Sequence, residues 1–583
     1  MEKDNLKSKT ISKPNLFNLL KPYSWFIALL VTLTILSNGL NLVVPKIISH
    51  AIDSYTLGNF SIQTVALDFF LVALAIFIFT YLQSIVQTYT AELVAKNLRT
   101  QLAAKISIQD HAYIQRVTPS KLLTNLTSDV DAVKTFVSQA ISSIISSVFL
   151  IIGACVLLIM INWRLALAAL IVLPIIGIAF YVVMKKVRKL FKRSQEVIDW
   201  LNKVINESIL GSALIRLLNS SHFEYEKFLL ANVEAREVSL SILRLFAGLI
   251  PVISFAANLS VLIILALGGK FVIDGTMSLG NFTAFNSYVA ILIFPIIIIG
   301  FMSNVIAQAS ASYQRVCEVL MVENKKENGH IKGKLEGEIS VKNVYVDFAG
   351  KSVLKNVFFN AHAGSRTAII GPTAAGKTQL LYLLTGLTEP TSGTVEYDNE
   401  NINVYDKVNF HEQIGLVFQD SIIFNLSIRE NIAFNNAVVA TDIEKAIDTA
   451  ELRDFIDALP DKLEAIVSER GTSLSGGQKQ RIMLARALAL NPKILLLDDF
   501  TARLDTNTEK KILKNVLENY PGITLISVTQ KIESIEDYDQ IILLMEGEVL
   551  AVGTHTMLLE NSPEYVQIYN SQRSTNQYEL QAK

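Results

Sequence analysis

The sequence predicts a two-part chain. An all-α part of six membrane-crossing helices, prolonged beyond the membrane, is followed by an α/β part built around a phosphate-binding loop. Three observations predict this. The 583 residues are 51% hydrophobic and only 18% charged, below the roughly 25% charged of soluble domains. Six long runs without Asp, Glu, Lys or Arg all lie in the first 314 residues. The remainder is more polar and alternates strand-like with helix-like segments around GPTAAGKT at residues 371–378.

The uncharged runs are residues 22–45, 69–91, 135–163, 165–184, 245–269 and 275–314. A helix needs about 20 such residues to cross the hydrocarbon. The first run follows a Lys-bearing N-terminus but is too long for the apolar core of a signal peptide. It therefore reads as a retained span. Basic residues set the topology: Lys3, Lys7, Lys9, Lys13 and Lys21 precede the first run, Lys96 to Lys134 lie between the second and third, and Lys185 to Arg193 follow the fourth. The alternate connections carry only Lys46, Arg164 and Lys270. The positive-inside rule thus places both termini and the two long connections in the cytoplasm. Those connections, 92–134 and 185–244, are rich in helix formers, so the membrane helices are expected to continue into the cytoplasm and return. Asn162-Trp163-Arg164 reads as a tight outer turn, and Pro174, Pro251 and Pro295 are expected to bend their spans.

With no ionisable residue inside the runs, the signature of a proton relay or ion site is missing. A substrate cavity there should be apolar or weakly polar, with Phe282, Phe285, Phe294, Phe301, Asn258 and Asn286 as candidate lining and lipid-facing packing as the alternative role for each. The formal net charge of -1 argues against nucleic acid as a partner. The two cysteines, Cys155 and Cys317, have neither pairing nor metal-ligand spacing and read as reduced.

In the second part, Thr367–Ile370 reads as a strand running into Gly371, Pro372, Thr373, Ala374, Ala375, Gly376, Lys377 and Thr378, and then a helix. That is the phosphate-loop pattern in its strand–loop–helix setting. Backbone N–H groups and the helix start surround phosphate oxygens, Lys377 reaches the terminal phosphates and Thr378 offers its hydroxyl to magnesium. The phosphates of a nucleotide, with Mg2+, are the implied ligand. ILLLDD at 494–499 is a buried strand ending in two acids. Asp498 is expected to hold the magnesium from a strand neighbouring the loop strand, and Asp499 to face the terminal phosphate.

LSGGQ, formed by Leu474, Ser475, Gly476, Gly477 and Gln478, precedes ILLLDD. Together with the phosphate loop and the six spans, this resembles the ATP-binding cassette (ABC) transporters, in the layout of an exporter half-transporter. The resemblance implies a cytoplasmic segment over residues 1–22, a six-helix membrane domain over 23–315, a linker over 316–338, an ABC nucleotide-binding domain over 339–575 and a tail over 576–583. It implies that Phe348 stacks on adenine, that Gln419 touches magnesium, and that SERG at 468–471 contacts cytoplasmic helix tips near Ile114–Lys121 and Glu207–Arg216. It also implies that Thr501 to Asp505 crosses between two cassettes, and that LSGGQ covers ATP held by a second chain, so that the chain dimerises.

Two positions depart from the family pattern. Asp499 stands where the family has glutamate, withdrawing the carboxylate by one methylene, on the order of 1.5 Å. Gln530 stands where the family has the histidine that contacts the γ-phosphate, and an amide cannot shuttle a proton. Ala374 also replaces a common loop glycine. With the grip intact and both catalytic positions weakened, the chain resembles the degenerate-site subunit of heterodimeric bacterial multidrug exporters. Implied partners are a second half-transporter, the lipid bilayer and a hydrophobic drug, lipid or peptide. A slow homodimeric exporter and an ATP-gated membrane regulator that does not pump stay open as alternatives.

Overall fold

The computed structural model describes residues 16–323, 329–348, 351–435, 437–467 and 474–581. Two compact units are present: one holds the chain up to Ile108 with Val117–Glu323, the other Gln109–Arg116 with the chain from Asn324 onward. SERG at 468–471 lies outside the described residues.

Among the described residues of the first unit, six helices are long and apolar enough to cross a membrane: α1 (Leu16–Thr56), α2 (Ile62–Ser107), α3 (Pro119–Ile161), α4 (Trp163–Leu210), α5 (Ser221–Ile273) and α6 (Leu279–Leu320). Each uncharged run overlaps one of them. At 41 to 53 residues all exceed the roughly 20 that a crossing needs. Helix α1 packs against α2, α3 and α6, while α4 and α5 run along one another. The outer turn is built by Asn162, whose Oδ1 accepts the N–H groups of Arg164 and Leu165, both at 3.1 Å, and so caps α4. Only one of the three prolines interrupts its helix. The α4 helix breaks between Leu170 and Val172, where Pro174 lacks the N–H that would bond the Leu170 carbonyl. Pro251 and Pro295 sit inside unbroken helical stretches.

Helix α6 is fixed near both ends. At its start Asp53 of α1 accepts the Ser278 hydroxyl and the Gly280 N–H, both at 2.7 Å. The carboxylate thereby satisfies an otherwise orphan donor and complements the helix dipole. A side chain at position 280 would meet the Ser49 carbonyl oxygen at 2.1 Å, so glycine permits the approach. Near its other end Arg315 Nε and Nη2 grip the two carboxylate oxygens of Asp129 on α3 at 3.0 and 2.5 Å. Asn125 donates to the Arg315 carbonyl at 3.2 Å from the same π-helical turn, Asn125–Asp129. Between these ends, Tyr288 hydrogen-bonds the Leu42 carbonyl at 2.8 Å within a cluster that includes Leu158, Leu165 and Phe285. Phe285 is 0% exposed and belongs to this packing rather than to a cavity wall. Phe294, Phe301, Asn258 and Asn286 are exposed and Phe282 is half-buried. Polar bridges such as Ser146 to Asn38 (3.0 Å) and Ser37 with Thr80 (2.8 Å) tie helices together, as hydroxyls and amides do within lipid.

The described residues of the second unit form two sheets. The four-stranded sheet is ordered β2-β1-β4-β5, from β1 (Ile339–Phe348), β2 (Lys351–Ala361), β4 (Ser392–Tyr397) and β5 (Glu400–Asn401). The six-stranded sheet is ordered β10-β9-β3-β8-β7-β6. Its strands are β3 (Arg366–Ile370), β6 (Ile414–Val417), β7 (Ile494–Asp498), β8 (Thr524–Val528), β9 (Gln540–Met545) and β10 (Glu548–Gly553). Five of them are parallel and β10 is an antiparallel edge. Every residue of β7 and β8 is buried, as expected for parallel strands covered on both faces. Helix α7 (Lys377–Leu384) buries Leu380, Leu381, Leu383 and Leu384 in a core with Val341 of one sheet and Ile369, Leu496 and Ile526 of the other. Ala368, Leu495, Leu497 and Leu525 point into the opposite core. The strand carrying Asp498 is not next to the loop strand: β8 lies between them, which corrects the expected adjacency. Spacing along the chain fixes which segments are strands, while pairing order depends on how the crossovers run.

The Asp129–Arg315 pair makes a measurable prediction. Arg315→Ala leaves a carboxylate that is 2% exposed without its counter-charge, at a cost of about 3 kcal/mol. The thermal midpoint of the purified chain should fall clearly, and fall less in the Asp129→Asn/Arg315→Gln double variant.

Candidate nucleotide site

The site lies where four parallel strands, β3, β8, β7 and β6, end. After β3 the chain turns through Gly371, where a Cβ would sit 2.0 Å from the Leu544 carbonyl oxygen of β9. The loop rests on that strand, and Gly547 donates to the Ala375 carbonyl at 3.2 Å. At Gly376 φ is +97°, and a Cβ there would be 2.8 Å from Leu354 Cδ2, so glycine meets both demands. No side chain caps α7, which leaves its first N–H groups directed at whatever anion occupies the loop.

A cavity of about 320 Å³ is lined by Thr373, Ala374, Ala375, Gly376, Lys377, Thr378, Gln419, Asp498, Asp499 and Gln530. Ten of the residues singled out by sequence thus meet in one place. Gly371 and Pro372 shape the loop from behind: their carbonyls accept the Lys377 ammonium, each at 2.8 Å. Val353, Gln379 and Val528 also line the cavity and were missed. Gln379 adjoins Thr378 on α7, so helix position could have found it. Val353 comes from the other sheet, and no local pattern signals it. Phe348 ends β1 opposite Lys351 of β2, and its side chain lies outside the described residues.

Asp498 ends β7 and is 3% exposed. Burial pushes its carboxyl above the usual range, with Asp499 and Asp420 adding to the rise, while a hydrogen bond from Thr378 and the charge of Lys377 oppose it. Burial likewise lowers the Lys377 ammonium, against the pull of Asp499 and Asp498. One lysine faces two acids, so the site has room for a dication. The Asp498 carboxylate, Thr378 hydroxyl and Gln419 amide form an all-oxygen donor set that suits Mg2+. Among the described residues no group of three or more His, Cys, Asp or Glu could cage a metal.

Asp499 sits in the left-handed region at φ 48°, ψ 35°, a conformation that a short polar side chain tolerates. Its N–H donates to the Val528 carbonyl at 2.9 Å, tying it to β8. Gln530 is exposed just beyond β8.

None of the signature residues lines this cavity. Ser475 caps helix α8 (Gly476–Leu488): its Oγ accepts Gln478 N–H at 3.2 Å, and its own N–H reaches Gln478 Oε1 at 2.8 Å. Leu474 and Gly477 are half-buried beside it, and a side chain on Gly476 would press on Arg503 at 3.0 Å. Asp505 caps α9 (Thr506–Asn519), accepting Thr508 N–H at 2.9 Å, and that bond holds its carboxyl below the usual range.

Ala374 has φ +68°, where an L residue costs about 1–2 kcal/mol and glycine gives back about 0.5–1 in chain entropy. Ala374→Gly should raise the thermal midpoint of the ligand-free chain by about 2 °C. An unchanged or lower midpoint contradicts this.

The molecule matches known proteins in both halves. Residues 27–296 match the family model of the ABC transporter transmembrane region, and residues 354–502 that of the ABC transporter domain. The uncharacterized ABC transporter ATP-binding protein YfiB of Bacillus subtilis (strain 168) is 31% identical over 559 residues, covering 95% of this chain and 97% of that protein. The multidrug resistance ABC transporter ATP-binding and permease protein of Lactococcus lactis subsp. lactis (strain IL1403) is 28% identical, covering 96% and 95%. The ATP-dependent lipid A-core flippase of Syntrophus aciditrophicus (strain SB) is 28% identical, covering 85% and 83%. The structure of a bacterial Atm1-family ABC exporter with ATP bound shares the fold, with a TM-score of 0.80, 23% identity and 95% and 99% coverage. Six spans, a matched transmembrane region, a matched ATPase domain and a relative of this identity along nearly the whole length place the chain in the ABC transporter family, as a multi-pass, ATP-hydrolysing membrane protein.

Proposed function

We propose that the chain is one half of a heterodimeric exporter in the cytoplasmic membrane, moving hydrophobic or amphipathic drugs, lipids or peptides outward. In this reading its own site binds ATP and hydrolyses it weakly, while its signature completes the partner's site. The observation that carries it is the composition of one cavity. Lys377, Thr378 and Asp498 line it together with Asp499 and Gln530, so the binding groups and both weakened groups share one ligand.

The grip acts through the loop. The N–H groups of α7 and the Lys377 ammonium take the phosphate oxygens, and Thr378, Asp498 and Gln419 would hold Mg2+. When bound, the ion neutralises charge that develops on the phosphates during transfer. Asp499 can accept a hydrogen bond from an attacking water but falls short of the usual carboxylate position, and a displacement of about 1 Å costs around 10²-fold. The Gln530 amide can donate to a γ-phosphate oxygen but stays neutral, so it supplies no proton and no positive charge. Both effects retain binding and slow turnover.

Dimerisation is supported by the signature residues, which are absent from the cavity lining in their own chain. Ser475 and the N–H groups at the start of α8 form a second anion grip aimed elsewhere. The basic residues of the long connections support a cytoplasmic nucleotide domain. Spans free of Asp, Glu, Lys and Arg, and relatives named for multidrug resistance and lipid flipping, support an apolar cargo.

The chain alone in nanodiscs should hydrolyse ATP slowly, and Asp499→Glu/Gln530→His should raise that rate about tenfold or more. A wild-type homodimer that already matches the double variant overturns the degenerate-site reading in favour of a homodimeric exporter. Inside-out vesicles carrying this chain with its partner should take up an amphipathic dye on adding ATP. Nucleotide binding without uptake points to the non-pumping regulator.

A further inference from the structure

The chain just beyond β8 is held by four hydrogen bonds. Thr529 N–H donates to the Ile369 carbonyl of β3 at 3.2 Å, and its Oγ1 accepts Lys531 N–H at 3.1 Å. Gln572, on a helix spanning Pro563–Gln581, donates to the Gln530 carbonyl at 2.6 Å and accepts Ile532 N–H at 3.0 Å. Gln530 lines the nucleotide cavity. The next side chain leaves in another direction: Lys531 Nζ donates to the Thr501 carbonyl at 3.3 Å and lies 3.8 Å from a carboxylate oxygen of Glu509.

Both partners of Lys531 are buried. Thr501 is 3% exposed and Glu509 1%. The Thr501 carbonyl also accepts Leu504 N–H at 3.2 Å, so this oxygen organises the turn that leads to Asp505. Arg503, in the same turn, lies against Gly476 of the signature. A hydrogen-bonded segment thus begins at the cavity with Gln530 and, through one ammonium, ends on the loop that adjoins the signature.

We propose that Lys531 is a positioning residue, tying the loop that bears Gln530 to Thr501–Asp505, so that ATP in this chain's cavity sets the geometry of the loop and signature offered to the second cassette. The inference rests on the preceding reading only for the existence of that cassette, and needs no particular hydrolysis rate here. The competing role for Lys531 is neutralising the buried Glu509. The two roles separate, because Glu509→Gln removes the need for a counter-charge without restoring the bond to Thr501.

The test is amide hydrogen exchange of the full-length chain in its purified membrane assembly, with and without ATP and Mg2+. In wild type, ATP should slow exchange over residues 371–378 and over 500–505. Lys531→Met should keep the first protection and reduce the second by about fivefold, within the coupling a single side chain carries. Lys531→Arg should restore it. Lys531→Met/Glu509→Gln should recover thermal stability yet still lack protection over 500–505. In ATPase assays of the assembly, Lys531→Met should lower kcat with KM nearly unchanged. The proposal is overturned by wild-type protection of 500–505 in Lys531→Met, by its recovery in the double variant, or by its absence in wild type. Fast hydrolysis at the Asp499 site overturns the degenerate-site reading and leaves this pattern as it stands.

Discussion

A carboxylate held at the end of an apolar strand organises the nucleotide domain. Asp498 terminates five fully buried residues, and burial alone favours its neutral form. The surroundings counter that tendency with the Thr378 hydroxyl and the Lys377 ammonium, both supplied by the first turn of α7. For that turn to reach Asp498, the phosphate loop must fold tightly over β9 at Gly371 and against β2 at Gly376, and neither glycine leaves room for a side chain. The compensation is partial, since Asp499 and Asp420 add negative charge. A cation accompanying a phosphate ligand would complete the balance.

The membrane half follows a similar logic with fewer charges. Within lipid, apolar burial does not distinguish one helix neighbour from another. The specific contacts are therefore polar: Asp53 on the start of α6, the Tyr288 hydroxyl on Leu42, and Asp129 gripping Arg315. The two acids lie outside the uncharged runs, in the stretches of helix that extend past the hydrocarbon. An ion pair costs less to form there than at the bilayer centre. Helix α6 is thus located at its ends by electrostatics and along its length by packing.

Much of this was legible in the sequence. Six uncharged runs of sufficient length specify six spans, because a crossing helix satisfies its own backbone and needs only apolar side chains. The phosphate loop, ILLLDD and LSGGQ are equally local, since each presents backbone donors or acids at a strand or helix end. Asn162 and Ser475 could be read as turn and cap residues for the same reason. Asp499 and Gln530 stood out as departures because the groups around them kept the family pattern.

What the sequence by itself determined is therefore the set of elements and the chemistry at their ends. Only the tertiary structure decided which elements lie side by side. It inserted β8 between β3 and β7, so that Gln530 enters the cavity from the middle strand. It moved Phe285 into a packed core, brought Val353 from the other sheet, and joined Lys531 to Thr501 and Glu509. Local patterns record burial and hydrogen-bonding capacity, which each residue carries with it. Pairing across tens or hundreds of residues depends on crossover paths and on which buried charge must meet which counter-charge, and neither is written in spacing.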